Sequence, residues 1–487
     1  MTASSKIRTL LLAFVLTGTA GNAWAQEPQE QPPTQESEPG QTVPKPAARG
    51  IPAFNDSSDL NTDQGNTDVW QPDPSPVTGL EAPTLGSPPM RHSYWVPGLQ
   101  YGITAQSGPL GEKNSSWYET HFMGGSLSLL KAWSHSTLAL NESVGGVVTS
   151  QSAPQYSEGN SWYQQLGVTQ SFQSRRWLWQ WSDQFAYLPE TQFGFGAGTG
   201  LALPGVGGSL GPSLTSGLPP SQSIASAAGS RYSNTAVIQT TYTLDARQSI
   251  TIAGMDGTLH FTQAPNVNSE NYLGSVGYNY TLTKEDSIGL MYRFSTFHFP
   301  AQSEAYGDSS FSVAYQRKMT RKLALQLYAG PDFISYRVPL GGSTKRTSAQ
   351  ADASLSYGFR RGSISVNYSH GLSAGSGVLI GGELDQVTFT GTRQISRLWS
   401  VTGNFGYASN RALNNAAGVG FGSYDNYFVG GGLARPIGRV MNFAVSYNAY
   451  IQRAGPQGCT VANCNANSTQ HTITAFLNWR ARPFVIE

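Results

Sequence analysis

Residues 350–370 read QADASLSYGFRRGSISVNYSH. Ala351, Ala353, Leu355, Tyr357 and Phe359 take the odd positions, while Asp352, Ser354, Ser356 and Gly358 take the even ones. Arg360, Arg361 and Gly362 turn the chain, after which Ile364, Val366 and Tyr368 alternate with Ser363, Ser365, Asn367 and Ser369. A period of two belongs to a strand whose two faces see different surroundings. The spelling predicts an antiparallel pair with strands of about ten residues, roughly twice the common globular length and enough for a tilted strand to cross a bilayer.

The alternation starts near Tyr94 with Leu99, Tyr101 and Ile103, and it recurs at Met123 to Leu129 and at Leu138 to Val148. Glu142 falls on the apolar register of that third segment and breaks it. Trp177, Trp179, Trp181, Phe185 and Tyr187 mark another strand, Met441 to Ile451 a late one, and Ile473, Ala475, Leu477 and Trp479 the last. Eight connections are short, near Ser134, Ser174, Ala246, Lys284, Thr320, Arg361, Ser396 and Gly438, and nine are longer. Seventeen connections make eighteen strands, or about sixteen if one hairpin is misread. An even number puts both chain termini on the short-turn side.

Charged residues are only 12% of the chain, about half the usual share. A soluble sandwich would carry Lys and Glu on its wet face; Ser, Thr, Asn and Gln suit an enclosed aqueous lumen. No later stretch is apolar enough for a spanning helix, so strands closed into a barrel must make any crossing. The fold class predicted is an all-β, transmembrane antiparallel barrel preceded by a disordered N-terminal arm.

Residues 1–25 read as a signal peptide, with Lys6 and Arg8, an apolar core from Leu10 to Leu16, and Ala23-Trp24-Ala25 as the cleavage site. Residues 26–93 are rich in Pro, Gln, Glu and Asp and read as a disordered acidic arm on the periplasmic side. Residues 94–487 form the barrel. Of the 30 bases and 29 acids, four bases and ten acids precede residue 91, which leaves 26 bases and 19 acids beyond it. Many of those bases sit in the short turns, among them Arg175, Arg176, Arg321, Lys322, Arg360, Arg361, Arg435 and Arg439. An acidic arm tethered beside a basic ring meets it at roughly millimolar effective concentration, so the arm is a candidate to lie across that mouth or to meet a periplasmic partner.

In its signal peptide, antiparallel meander, short turns against long loops, and aromatic residues near strand ends, the region 94–487 resembles the bacterial outer-membrane porin-type barrels. The resemblance implies an outer-membrane location, surrounding lipid, and the barrel-assembly machinery as a partner in biogenesis. It also implies that the third long loop folds into the lumen, the alternative being a flexible external loop. Here that loop opens PETQFGFG, so Pro189, Glu190, Phe193 and Phe195 are the candidate constriction, with Glu190 alone able to supply an acid. Such proteins usually end in an aromatic residue, whereas this chain ends Pro483-Phe484-Val485-Ile486-Glu487, so either the assembly signal is imperfect or Phe484 stands in for it.

Cys459 and Cys464, in CTVANC, suit a small disulfide loop in an oxidising compartment. With His471 the nearest imidazole, they make a poor zinc site. The seven histidines are scattered and no motif singles out a nucleophile or an acidic pair, so neither an enzyme nor a cofactor is expected. The glycines of the long loop do not lead from a strand into a helix, and nothing points to nucleotide or nucleic acid. The polar register holds Gln180, Ser182 and Gln184, Ser275 and Asn279, Thr388 to Thr392, and Asn442, Ser446 and Asn448, with Arg293 and Asp352 its clearest charges. Hydroxyls and amides replace water around an uncharged solute and exert little field on an ion. The expectation is a passive pore for small neutral polar solutes. A conduit for polysaccharide export, or a closed barrel that displays loops, are the alternatives.

Overall fold

The computed structural model describes residues 93–107, 117–149, 160–188, 230–262, 268–300, 304–320, 322–338, 342–373, 381–396, 398–413, 423–438, 440–454 and 467–486. The signal peptide, the arm, the Pro189 to Phe195 segment, the Cys459–Cys464 pair, Arg321 and Arg439 lie outside these residues.

The chain forms β1 (Ser93–Ser107), β2 (Trp117–Ala132), β3 (Ser136–Thr149), β4 (Asn160–Gln173), β5 (Trp177–Leu188) and β6 (Arg231–Thr243). Then follow β7 (Gln248–Phe261), β8 (Ser269–Thr281), β9 (Asp286–Phe299), β10 (Glu304–Lys318), β11 (Leu323–Val338) and β12 (Gly342–Phe359). The last are β13 (Gly362–Ser373), β14 (Gly382–Gln394), β15 (Ser400–Ala412), β16 (Ser423–Ile437), β17 (Met441–Ala454), β18 (Asn467–Arg480) and the short β19 (Phe484–Ile486). Each strand pairs antiparallel with the next, and β1 pairs with β18 from Gly98↔Arg480 to Gln106↔Thr472, so β1–β18 close into a barrel. The eighteen strands and the alternation of short and long connections follow the sequence reading. The strands are longer than expected, 12 to 18 residues against about ten, because the ladders continue past the apolar belt on the long-loop side.

The period-two spelling decides which side chains see lipid. Leu99, Met123, Val148, Ile238, Ile252, Leu290, Phe311, Phe405 and Val429 are exposed on the outside, while inward neighbours such as Gln100, Ser143, Ser182, Thr251, Asn279 and Asn404 are buried. Rings edge the belt: Trp177 stacks on Trp179 and against Tyr242 at the short-turn end, and Trp162 stacks on Tyr187 towards the long loops. A closed sheet with an apolar exterior, aromatic edges and short turns opposite long loops is a membrane-spanning barrel of the outer-membrane type.

Four of the short turns share one device. Asp245, Thr283, Thr320 and Ser396 each accept backbone N–H groups two or three residues on, such as Arg247 N at 2.7 Å and Asp286 N at 3.0 Å. These side chains occupy the turn's own donors and fix its length. The closure carries an extra clasp: β19 pairs with Ser93–Trp95, and Phe484 stacks on Trp95 at 4.8 Å.

On the inner wall, Tyr163 is fully buried and lies over Gly124 and Gly145, and its hydroxyl accepts a 2.7 Å bond from Gln100 Nε2. A Cβ on Gly145 would meet both the ring and the backbone carbonyl of Met123. Gly145→Val is therefore expected to destabilise the barrel by about 1–3 kcal/mol through overpacking, read as a lower urea midpoint in lipid vesicles; an unchanged midpoint would refute this packing.

Candidate functional site

The lumen is the one enclosed polar surface a barrel offers, and its lining is built by the inward positions of every strand. Gln180 and Ser182 of β5, Asn279 of β8, Asn404 of β15, and Asn442, Ser446 and Asn448 of β17 are buried on that face. Cross-strand hydroxyl and amide contacts knit it together, as in Thr104 to Thr474 at 3.2 Å, Thr241 to Thr251 at 3.1 Å, Ser354 to Asn367 at 2.7 Å and Ser365 to Thr390 at 2.6 Å. Such pairs fix the side chains and leave a wall that is polar and weakly charged.

The wall formed by β9–β12 is layered. At its short-turn end stand Ser287, Gln316, Gln326 and Ser356. Halfway along, Arg293 on β9 forms an ion pair with Asp308 on β10, Nη2 to Oδ2 at 3.0 Å, with side-chain exposures of 5% and 0%. Ser295 Oγ donates to the other oxygen of Asp308. Asp332 on β11 shares a row with Ser310 and Arg293, is fully buried, and receives no donor on either carboxylate oxygen among the described residues. Asp352 on β12 pairs across from Tyr328. Arg293 interacts electrostatically with all three acids, so one guanidinium is shared among three carboxylates. Towards the long loops this wall turns apolar: Phe297, Phe299, Tyr306 and Ile334 pack together with Leu259 and Phe261 of β7. The lumen is therefore less uniform than the sequence reading had it, with an apolar shelf above a charged station and a hydroxyl and amide lining below.

Of the residues singled out from sequence, Arg293 and Asp352 both face this lumen. Arg175 and Arg176, Lys322, Arg360 and Arg361 stand exposed at short turns, and Arg435 lies over the Trp399 ring at 5.3 Å near the same end. Asp308 and Asp332 escaped the sequence reading because Asp308 sits among Gly and Ser and Gly330-Pro331 interrupts the alternation of β11, so the inward face of these two strands did not stand out. Among the histidines, His121, His260, His298, His370 and His471 all take outward positions on the long-loop half of their strands, where His370 meets Asp385 at 2.6 Å and His471 meets Tyr447 at 2.8 Å. Among the described residues no group of three or more His, Cys, Asp or Glu could hold a metal ion.

No family model matches the sequence, and no curated protein matches it either. Solved structures with a similar chain layout include OccAB4 of Acinetobacter baumannii, at 10% identity and a TM-score of 0.44, covering 81% of this chain and 99% of that one. OpdQ of Pseudomonas aeruginosa superposes at 9% identity and a TM-score of 0.42, covering 80% and 98%. The ferric-catecholate import receptor Fiu of E. coli K12 does so at 10% identity and a TM-score of 0.41, covering 83% and 84%.

Proposed function

We propose that the protein is an outer-membrane pore through which small neutral polar solutes diffuse. The observation that carries this reading is the inward register of Ser, Thr, Asn and Gln, which runs over most of the eighteen strands and includes Gln180, Asn279, Asn404 and Asn448. A solute crossing such a wall exchanges its hydration for hydroxyls and amides at little cost, while a lumen with few charges sets a weak field for ions. Within the charged station Arg293 and Asp308 offset each other, closing at 3.0 Å.

Purified full-length protein in a planar bilayer should conduct, and a salt gradient should give only a small reversal potential. Absence of conductance, with or without residues 26–90, would sink the pore reading and leave a closed barrel that displays its loops. A neutral sugar added at osmotic excess should enter liposomes bearing the protein, so that they shrink only transiently, whereas an impermeant polymer should keep them shrunken.

The arm belongs to this proposal as a gate. Its acids would lie against the basic short turns, an attraction felt over about 8 Å at physiological salt. Raising salt should then increase conductance beyond the electrolyte's own increase, and removing residues 26–90 should abolish that excess. Superimposable salt curves for the two proteins would end the gating idea and leave the arm a linker.

A further inference from the structure

The outer surface is not apolar all the way round. On β9–β18 the outward positions of the belt hold Leu290, Phe311, Leu327, Leu355, Val387, Phe405 and Val429, all exposed. On β3–β7 the corresponding positions hold acids. Glu142 is the seventh of 14 residues in β3, Asp183 the seventh of 12 in β5, and Asp256 the ninth of 14 in β7. All three share the register of outward residues, Glu142 with Val144 and Val148, Asp183 with Trp179 and Trp181, and Asp256 with Ile252. They lie between two aromatic borders, Trp177, Trp179 and Tyr242 at the short-turn end and Trp162, Tyr187, Tyr232 and His260 towards the loops. These acids are therefore at mid-belt, where a charged side chain facing hydrocarbon is destabilising.

Two of them meet an amide on the same surface. Asn234 Nδ2 on β6 donates to Asp183 Oδ1 at 2.8 Å, and Gln164 Nε2 on β4 reaches Glu142 Oε1 at 3.4 Å. Asp183 pairs across with Ala236, and Ala236 with Asp256, so two carboxylates flank a small residue in one row. Gly254 and Gly274 add flatness: a Cβ on Gly254 would meet nothing nearer than 3.6 Å, and on Gly274 nothing within 4 Å. Small residues on a membrane-embedded surface admit close approach of another backbone.

We propose that the β4–β7 face is the contact between two copies of this chain, related by a two-fold axis parallel to the barrel axis and passing between β5 and β6. That operation sets β5 against β6 of the second copy and β4 against its β7. Each Asp183–Asn234 pair then meets the same pair reversed, giving a square of two carboxylates and two amides, and Gln164 comes opposite Asp256 of the second copy. A two-fold contact requires a patch complementary to itself, and this one carries its own donors and acceptors in matching places. A foreign protein would have to bring a basic or amide-rich surface of its own. Glu142 lies at the edge of the contact, beside Gln164 of its own chain. The inference rests on the membrane-spanning fold and is independent of what passes through the lumen.

Full-length protein in lipid nanodiscs or vesicles, counted by single-molecule subunit photobleaching, should be dimeric. Asp183→Leu with Asn234→Leu makes the face compatible with lipid; it should leave a folded barrel, judged by its mobility on an unheated SDS gel, and weaken self-association about tenfold or more. Phe389→Leu, on the far side, should leave the dimer intact. Because the double variant could fail to fold, a second arm uses Ala236→Cys, which a short bismaleimide should cross-link to twice the chain mass in bilayers, whereas Phe389→Cys should not cross-link. Monomeric wild type, three copies per particle, a double variant that folds and stays dimeric, or no cross-link at Ala236→Cys would each overturn the proposal. Wild type that is monomeric alone but captured by a second membrane protein through this face would replace the copy with a foreign partner.

Discussion

Arg293→Ala is expected to cost about 3–5 kcal/mol of barrel stability, the range found when one partner of a buried ion pair is removed. The guanidinium is 5% exposed, its partner Asp308 is not exposed at all, and the pair closes at 3.0 Å. Without it Asp308 keeps Ser295 as a donor, while Asp332 loses the cation in its own row. Three carboxylates on neighbouring strands would then face one another across a wall shielded from water. Asp308→Asn should cost less, about 1–3 kcal/mol, because Arg293 retains Asp332 and Asp352. Urea unfolding from lipid vesicles, followed by tryptophan fluorescence, would separate the two. A midpoint for Arg293→Ala equal to that of the native protein would mean that lumen water solvates the cluster and that the ion pair holds nothing together.

Gly330→Val is expected to prevent folding. A Cβ at this position falls on the backbone carbonyl of Phe311, and no flexible side chain is there to yield. The ladder between β10 and β11 already skips Phe311 and Ser312, opposite Gly330 and Pro331, so the two backbones run close without pairing at that point. Displacing β11 would break its register with β12, which is continuous from Leu323↔Tyr357 to Val338↔Gly342. A penalty of about 3 kcal/mol or more follows, at the upper end for overpacking, and the variant should show no folded band on an unheated SDS gel. Gly274→Ala is the matched control, since its Cβ would meet nothing within 4 Å, and it should refold like the native chain. Equal folding of both variants would show that β10 and β11 can separate freely at this point.

Much of the fold was legible because two local signals agree. The alternation of Ala351 to Phe359 and of Met441 to Ile451 sets strand and face, and Arg360-Arg361-Gly362 or Thr283 to Asp286 sets the turn. The outward acids were half legible. Glu142 stood out against its register, while Asp183 was passed over in a strand dominated by Trp177, Trp179 and Trp181. That Asn234 would bond Asp183 could not be read, because the partners lie 51 residues apart across the longest connection. The lumen charges were hidden for a different reason. Asp308 sits among Gly and Ser, and Asp332 follows a proline, so hydrophobic periodicity is weakest where the ion pair forms. Periodicity reports which face is apolar; it says nothing about which polar residues of separate strands meet.

The ladder between β1 and β18, with Thr104 bonded to Thr474 across 370 residues of chain, has a bearing on how the molecule comes into being. The ladders from β1–β2 to β17–β18 can each form as soon as two neighbouring segments have been made, but this one, like the β1–β19 clasp, must wait for almost the whole polypeptide to be translated and exported. Until then the nascent sheet has two raw edges, and hydrocarbon supplies no water to saturate their N–H and C=O groups. The intermediate is safe only while something else holds those edges. A messenger truncated before codon 472 would therefore yield a product that cannot be sealed, whatever the quality of its first seventeen strands, and periplasmic proteases that recognise an unpaired edge could identify every such failure at one seam.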